Sequence, residues 1–142
     1  MRIHRLEAGT ALPERTFGPL TRTDFVRYQG ASGDFNPIHH DEDFARASGF
    51  ESVFSVGMLQ AGLLATYCTD LLGPENVRRF KVQFREQVWP GDRLVAAATV
   101  TSVYEADEEP RIDVDLIMTR VGGGTAITGL ATFATDELGV DE

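Results

Sequence analysis

The densest chemistry in the chain lies in one short run, Asp34-Phe35-Asn36-Pro37-Ile38-His39. A carboxylate, an amide and an imidazole fall within six residues. These are the types that exchange protons with a reacting group and hold one another in place. Phe35 and Ile38 alternate with them, which sets the polar groups in a partly apolar wall. Pro37 fixes its own φ and biases Asn36 to extended geometry, so the bend can aim Asp34 and His39 into one small volume. The same run also reads as ordinary turn chemistry, with Asp34 closing an Asx turn and His39 capping the helix that follows. A second candidate is Gly57, at the start of a long apolar segment. In a helix its amide would be unpaired at the positive end of the dipole, open to an approaching oxygen because glycine has no side chain. The competing reading is a glycine that only starts a tightly packed helix.

Other reactive types carry less. His39, His40, Asp41 and Asp43 are metal ligands by type, but their adjacency suits a tetrahedral site poorly and His4 is the only other histidine, so no metal is expected. Ser32 and Ser55 lack the Gly-x-Ser-x-Gly elbow of a hydrolase. Gly122-Gly123-Gly124 is not flanked in the strand-then-helix order of a phosphate loop. Arg78, Arg79, Lys81 and Arg85 form the one local basic cluster. It either meets phosphates or is a solvated strand face. Trp89, before the Pro90-Gly91-Asp92 turn, reads as packing.

The elements that must position these groups divide into two styles. Residues 14–20 read as a short strand. A helix then starts near Thr23, with Thr21 and Asp24 at capping-box spacing, an apolar stripe of Phe25, Val26, Tyr28 and Ala31, and a stop at Gly30 or Gly33. After the reactive loop, residues 41–47 form a short helix capped by Asp41 and stopped by Gly49. From Gly57 to Leu72 apolar residues lie on nearly every face, which marks a helix enclosed by other structure; Gly73-Pro74 ends it. Strand-like runs follow at 77–88, 94–104, 112–119 and 125–134, with an acidic loop at 106–110 and a turn at Gly122–Gly124. Their period-2 alternation predicts an antiparallel meander with one polar face. A meander with one apolar helix implies an α+β sheet wrapped around that helix. One curved sheet leaves part of the helix open, and pairing two such units would cover it, so a homo-oligomer, most simply a dimer, is expected.

Composition bounds the rest. The 142 residues suit a single domain over 1–142, long enough to bury a core without staples. A net charge of −9 argues against nucleic-acid or basic membrane-surface binding. The single Cys68 excludes an internal disulfide framework and a cysteine-based zinc site. Residues 52–69 carry no ionised side chain, but their Ser, Thr, Gly and Gln fit a buried helix better than a membrane span. The amino-terminal Met-Arg-Ile-His-Arg-Leu-Glu lacks a signal core, which points to a cytoplasmic setting.

The run from Tyr28 to His39, Tyr-Gln-Gly-Ala-Ser-Gly-Asp-Phe-Asn-Pro-Ile-His, resembles the signature of the MaoC-like, R-specific enoyl-CoA hydratases. The resemblance extends through His40-Asp41-Glu42-Asp43-Phe44-Ala45 and Gly57-Met58-Leu59, over roughly residues 15–100. The chain is similar, too, to the catalytic subunit of heterodimeric (3R)-hydroxyacyl-thioester dehydratases. The resemblance implies a hot-dog fold and addition of water to a trans-2-enoyl thioester, carried by CoA or an acyl carrier protein, to give a (3R)-hydroxyacyl thioester, with no cofactor. It implies His39 as the base, aided by the following helix N-terminus, Asp34 as the group that holds the same water and relays a proton to C2, Asn36 as their orienting partner and Gly57 as the oxyanion amide. Phe35, Ile38, Val56, Met58 and Arg85 would then bind substrate. One position departs from the pattern: the family usually carries His-Gly-Met where this chain has Val56-Gly57-Met58, so a polar contact beside the site is lost.

Two alternatives stay open. A hot-dog thioesterase would need a carboxylate on the long helix, which offers only Asp70 near its far end. A non-catalytic thioester-binding subunit, paired with a related catalytic chain, would explain Val56 but not the intact Asp34, Asn36 and His39.

Overall fold

The computed structural model describes residues 6–136; residues 1–5, most of the stretch weighed as a signal core, lie outside it. Cap chemistry sets the helix boundaries. Thr21 and Asp24 close a reciprocal capping box on α1 (Arg22–Ser32), and Gly33 ends that helix at φ 77° in the left-handed region. A single 3-10 turn, Pro37–His39, is capped by the Asn36 side chain, which accepts from the Ile38 N–H. Asp41 accepts from the Phe44 N–H and opens α2 (Glu42–Ala47). The long α3 spans Gly57–Leu72 and ends at Gly73, whose positive φ of 90° suits glycine.

β1 (Arg15–Phe17), β2 (Val77–Phe84), β3 (Leu94–Ala106), β4 (Glu109–Arg120) and β5 (Thr125–Ala134) form one antiparallel sheet in the order β1-β3-β4-β5-β2. β3, β4 and β5 are the meander. β1 and β2 lie at its two edges. One face of α3, carrying Gln60, Ala61, Leu64, Tyr67 and Cys68, is buried at helical spacing. It joins the same core as Ala98 of β3, Leu116 and Met118 of β4 and Phe133 of β5. A fully buried Leu64, Met118 or Phe133 contributes about 1.5–3 kcal/mol each to holding helix and sheet together. The Tyr67 hydroxyl donates to the Pro13 carbonyl at 2.8 Å and ties α3 to the segment before β1. Burial pushes the Tyr67 hydroxyl and the Cys68 thiol each up to about 12. No helix of the described residues is long and apolar enough to cross a membrane.

Several boundaries differ from the sequence expectation. Residues 106–110 are not a loop: β3 runs to Ala106, β4 starts at Glu109, and only Asp107 and Glu108 turn between them. Both sit at positive φ, 52° and 59°, as a two-residue hairpin turn with right-handed strand twist requires. The first strand shrinks to three residues, and β2 ends at Phe84 rather than 88 because the chain leaves the ladder to form the floor of a cavity. The expected stripe on α1 is only partly buried. Phe25 faces the core, but Val26 is 51% exposed and the other buried position is the polar Gln29. On α3, Met58, Gly62 and Thr66 form an exposed stripe, so the helix is not enclosed all round within one chain.

Candidate active site

Gln29 explains why the inner face of α1 is polar. It is 2% exposed, and its Nε2 donates to the carbonyls of Asp34 (2.8 Å) and Asn36 (3.0 Å). Its Oε1 pairs with the Nδ1 of His40 at 2.9 Å. One buried amide therefore clamps the reactive loop at three points. Within the loop, one carboxylate oxygen of Asp34 accepts from the Asn36 N–H at 3.2 Å. Asn36 thus holds Asp34 through its backbone and steadies the turn bearing His39 through its side chain. That turn is the Asx chemistry the spacing allows, and it leaves the second Asp34 oxygen with no partner among the described residues.

His39 is buried, at 8% exposure. Its Nδ1 lies 2.7 Å from the Phe54 carbonyl oxygen. A carbonyl only accepts, so Nδ1 carries the proton, and in the neutral ring the lone pair is on Nε2. Phe54 also meets the imidazole edge-on at 5.2 Å, and is itself backed by Phe50 at 4.8 Å and Trp89 at 5.7 Å. The ring is fixed by one hydrogen bond and an aromatic wall, which gives Trp89 its packing role.

A cavity of about 270 Å³ opens between this imidazole and the start of α3. His39, Ser55, Gly57, Gln60, Arg85 and Glu86 line it together with Phe84. Val56 is the N-cap of α3 and supplies no side-chain cap, while the Leu59 N–H bonds the Val56 carbonyl. The amides of Gly57 and Met58 are left without a partner in the described chain. A Cβ on Gly57 would stand 3.1 Å from the Phe84 ring, so the glycine leaves room between the head of α3 and that ring, both of which line the cavity. A larger cleft of about 540 Å³ between Pro19 and α3 brings Asp24 and Arg27 but no imidazole.

Of the residues picked from sequence, His39, Gly57 and Arg85 share the cavity. Asp34, Phe35 and Asn36 lie on the exposed outer loop, and Phe35 is 65% exposed. Ile38 is half-buried, Val56 is buried, and Met58 is exposed at the head of α3. Arg85 donates to Thr128 and Gln83. Arg78 is tied to Glu109 at 2.6 Å and is not a free cation. Asp70, the thioesterase alternative's carboxylate, pairs with Arg15 at 2.8 Å on the exposed end of α3. The carboxylate that does line the cavity is Glu86, bound by Arg120 at 3.1 Å. Sequence reasoning missed Glu86, Gln29 and Gln60 as cavity or loop residues, and weighed Ser55 only as a hydrolase serine. Only Gln60 carried a signal, as one of the few polar residues in an apolar helix. Among the described residues no group of three His, Cys, Asp or Glu is placed to hold a metal ion.

An antiparallel sheet around a long helix, with a reactive loop over the helix's first turn, defines a hot-dog domain of the hydratase type. The MaoC like domain pattern matches residues 7–121, and the chain belongs to that family. It is 30% identical over 138 residues to the (R)-specific enoyl-CoA hydratase of Aeromonas caviae, covering 92% of this chain and 96% of that protein. It is 35% identical over 97 residues to the mouse peroxisomal multifunctional enzyme type 2. That match covers 63% of this chain but only 13% of the mouse protein, and the chain spans 60% of the (R)-specific enoyl-CoA hydratase of Rhodospirillum rubrum. Among solved structures, the ChsH1-ChsH2 complex from Mycobacterium tuberculosis superposes with a TM-score of 0.79 at 25% identity, over 91% of this chain and 98% of that one. The A. caviae (R)-hydratase, described as involved in PHA biosynthesis, gives 0.77 at 27% identity, over 90% and 96%.

Proposed function

We propose that this chain is, as a single domain, a hydro-lyase that interconverts trans-2-enoyl and (3R)-3-hydroxyacyl thioesters, with CoA as the carrier. The observation that carries the reading is the cavity joining His39, its Nδ1 spent on the Phe54 carbonyl, to the unpaired amide of Gly57. In the hydration direction His39 Nε2 takes a proton from water as the water oxygen bonds to C3. The C2–C3 π pair moves toward the thioester, whose oxygen gains charge and is met by the Gly57 N–H. C2 then gains a proton through Asp34, which is replaced by the one that His39 took, while the second water proton stays on the new C3 hydroxyl, so the addition balances without a cofactor. Arg85 at the cavity, with Arg79 and Lys81 exposed along β2, supplies positive charge for the carrier's phosphates.

A homodimer fits this reading, with a heterodimer with a related subunit as the other outcome. A second subunit would cover the exposed α3 stripe and the edge strand β2, where Val77 and Phe84 are solvent-facing. It would also enclose the exposed Asp34 loop. The free Cys68 agrees with a reducing, cytoplasmic setting.

The test is an enoyl-CoA assay across acyl chain lengths, with chiral analysis of the product and simultaneous measurement of free thiol. Loss of enone absorbance, an R product and no thiol are expected. Thiol release without enone loss would replace the reading with a thioesterase. Binding without any turnover, alone and with added related subunits, would replace it with a non-catalytic subunit.

A further inference from the structure

Gln60 carries the only amide side chain on the buried face of α3, and it sits one turn inside Gly57. Helical residues three apart share a face, and both line the same cavity. Gln60 is 2% exposed. Its Oε1 lies 2.6 Å from the Ser55 Oγ, itself on a residue 2% exposed. That separation is the length of an O–H···O bond and short for N–H···O, which identifies the amide oxygen as the atom facing Ser55. The Ser55 hydroxyl donates, and the Gln60 Nε2 points the other way.

That Nε2 has no hydrogen-bond partner among the described residues. Yet no fully sealed side-chain nitrogen or oxygen lacks a partner. The nitrogen therefore reaches open space, and the open space beside Gln60 is the cavity. A buried amide with two N–H groups and nothing to receive them is costly unless something in the cavity accepts. The neighbouring Gly57 N–H is also unpaired. Two neutral donors from one face of one helix, held by packing and by Ser55, suit an acceptor oxygen that gains negative charge. A cation would be repelled by both.

We infer that Gln60 Nε2–H joins the Gly57 N–H in binding the thioester carbonyl oxygen, making Gln60 a catalytic residue and Ser55 the residue that positions it. This rests on the hydratase reading of the cavity. It also gives the site a polar side chain near Val56, where the family's usual histidine is missing.

Two measurements test it on the whole chain. The first is steady-state hydration of crotonyl-CoA by Gln60→Met, which removes the donor at similar size. Deleting one such donor costs about 10²–10³-fold in kcat elsewhere; a loss of about 10²-fold with KM within about threefold is expected here. Ser55→Ala should lose less, and combining the two should cost no more than Gln60→Met alone. If Gln60→Met does not fold, Gln60→Glu keeps the oxygen that Ser55 needs and should show the same loss. The second is difference infrared spectroscopy of bound butyryl-CoA carrying a ¹³C-labelled carbonyl. The bound stretch should fall below its value in free solution, return toward it in Gln60→Met, and stay low in His39→Ala. Turnover and stretch both unchanged in Gln60→Met would overturn the inference and leave the hydratase reading standing. A lowered, Gln60-dependent stretch in a chain that hydrates no enoyl thioester would overturn the hydratase reading alone. Failure to bind butyryl-CoA at all would overturn both.

Discussion

Replacing Gln29 by leucine separates loop positioning from catalysis. Gln29→Leu keeps the size of the side chain and removes three hydrogen bonds: to the Asp34 carbonyl, to the Asn36 carbonyl and with His40 Nδ1. Asp34, Asn36 and His40 are all exposed, so their freed groups can turn to water. Each loss then falls at the lower end of the usual range, and the three sum to about 2 kcal/mol. For a chain of this length that lowers Tm by about 4–8 °C. With a total stability of about 5–15 kcal/mol, the variant stays more than about 95% folded at 25 °C. Turnover should nevertheless fall about 10²-fold, because the loop that aims Asp34 and His39 is no longer held within a fraction of an ångström. The assay is crotonyl-CoA hydration at 25 °C beside a thermal melt. A normal melt with unchanged kcat would refute the clamp. A Tm loss with unchanged kcat would show that Gln29 stabilises the fold without positioning the loop.

Three further outcomes follow from the packing. Arg78 first, then Arg111, hold the Glu109 carboxyl down to about 2 from an ordinary value of 4.5. A depressed folded pKa stabilises above the unfolded value and is lost as pH falls, so Glu109→Gln should lower Tm at pH 7, with the difference from wild type closing between about pH 4.5 and 2; a pH-independent difference contradicts this. Gly57→Ala places a methyl 3.1 Å from the exposed Phe84 ring. The ring can yield, so Tm should change little, while hydration kcat falls by at least about tenfold because the methyl narrows the cavity between α3 and Phe84; unchanged kcat would remove Gly57 from the oxyanion site. Cys68, buried with its thiol pushed up to about 12, should resist thiol reagents in the native protein and react on unfolding. Native labelling would mean that α3 opens, and would complicate the thiol-release arm of the activity test.

The local signals in the sequence were strong where a residue type has one job. Thr21 with Asp24, Asp41 before α2, Gly33 and Gly73 are caps with fixed geometry, and they place three helices to within a residue or two. The alternation in β4 likewise sends Ile112, Val114, Leu116 and Met118 inward. The acidic hairpin turn hid because Asp107 and Glu108 lack the glycine that normally marks positive φ. Gln29 hid because periodicity cannot tell a polar residue facing solvent from one facing a loop that needs donors. The dense Asp34–His39 run exposed the reactive loop, but the cavity wall opposite came from Ser55, Gln60 and Glu86. Those three meet only after α3 and the segment beyond β2 have folded together.

The roles of His39 and Asp34 as base and proton relay are tested by kcat for crotonyl-CoA hydration in His39→Ala and Asp34→Asn, with circular dichroism and Tm as a check on the fold. At least about 10²-fold loss is expected in each, the scale of a removed acid or base, with native spectra. Wild-type turnover in either folded variant would contradict those roles.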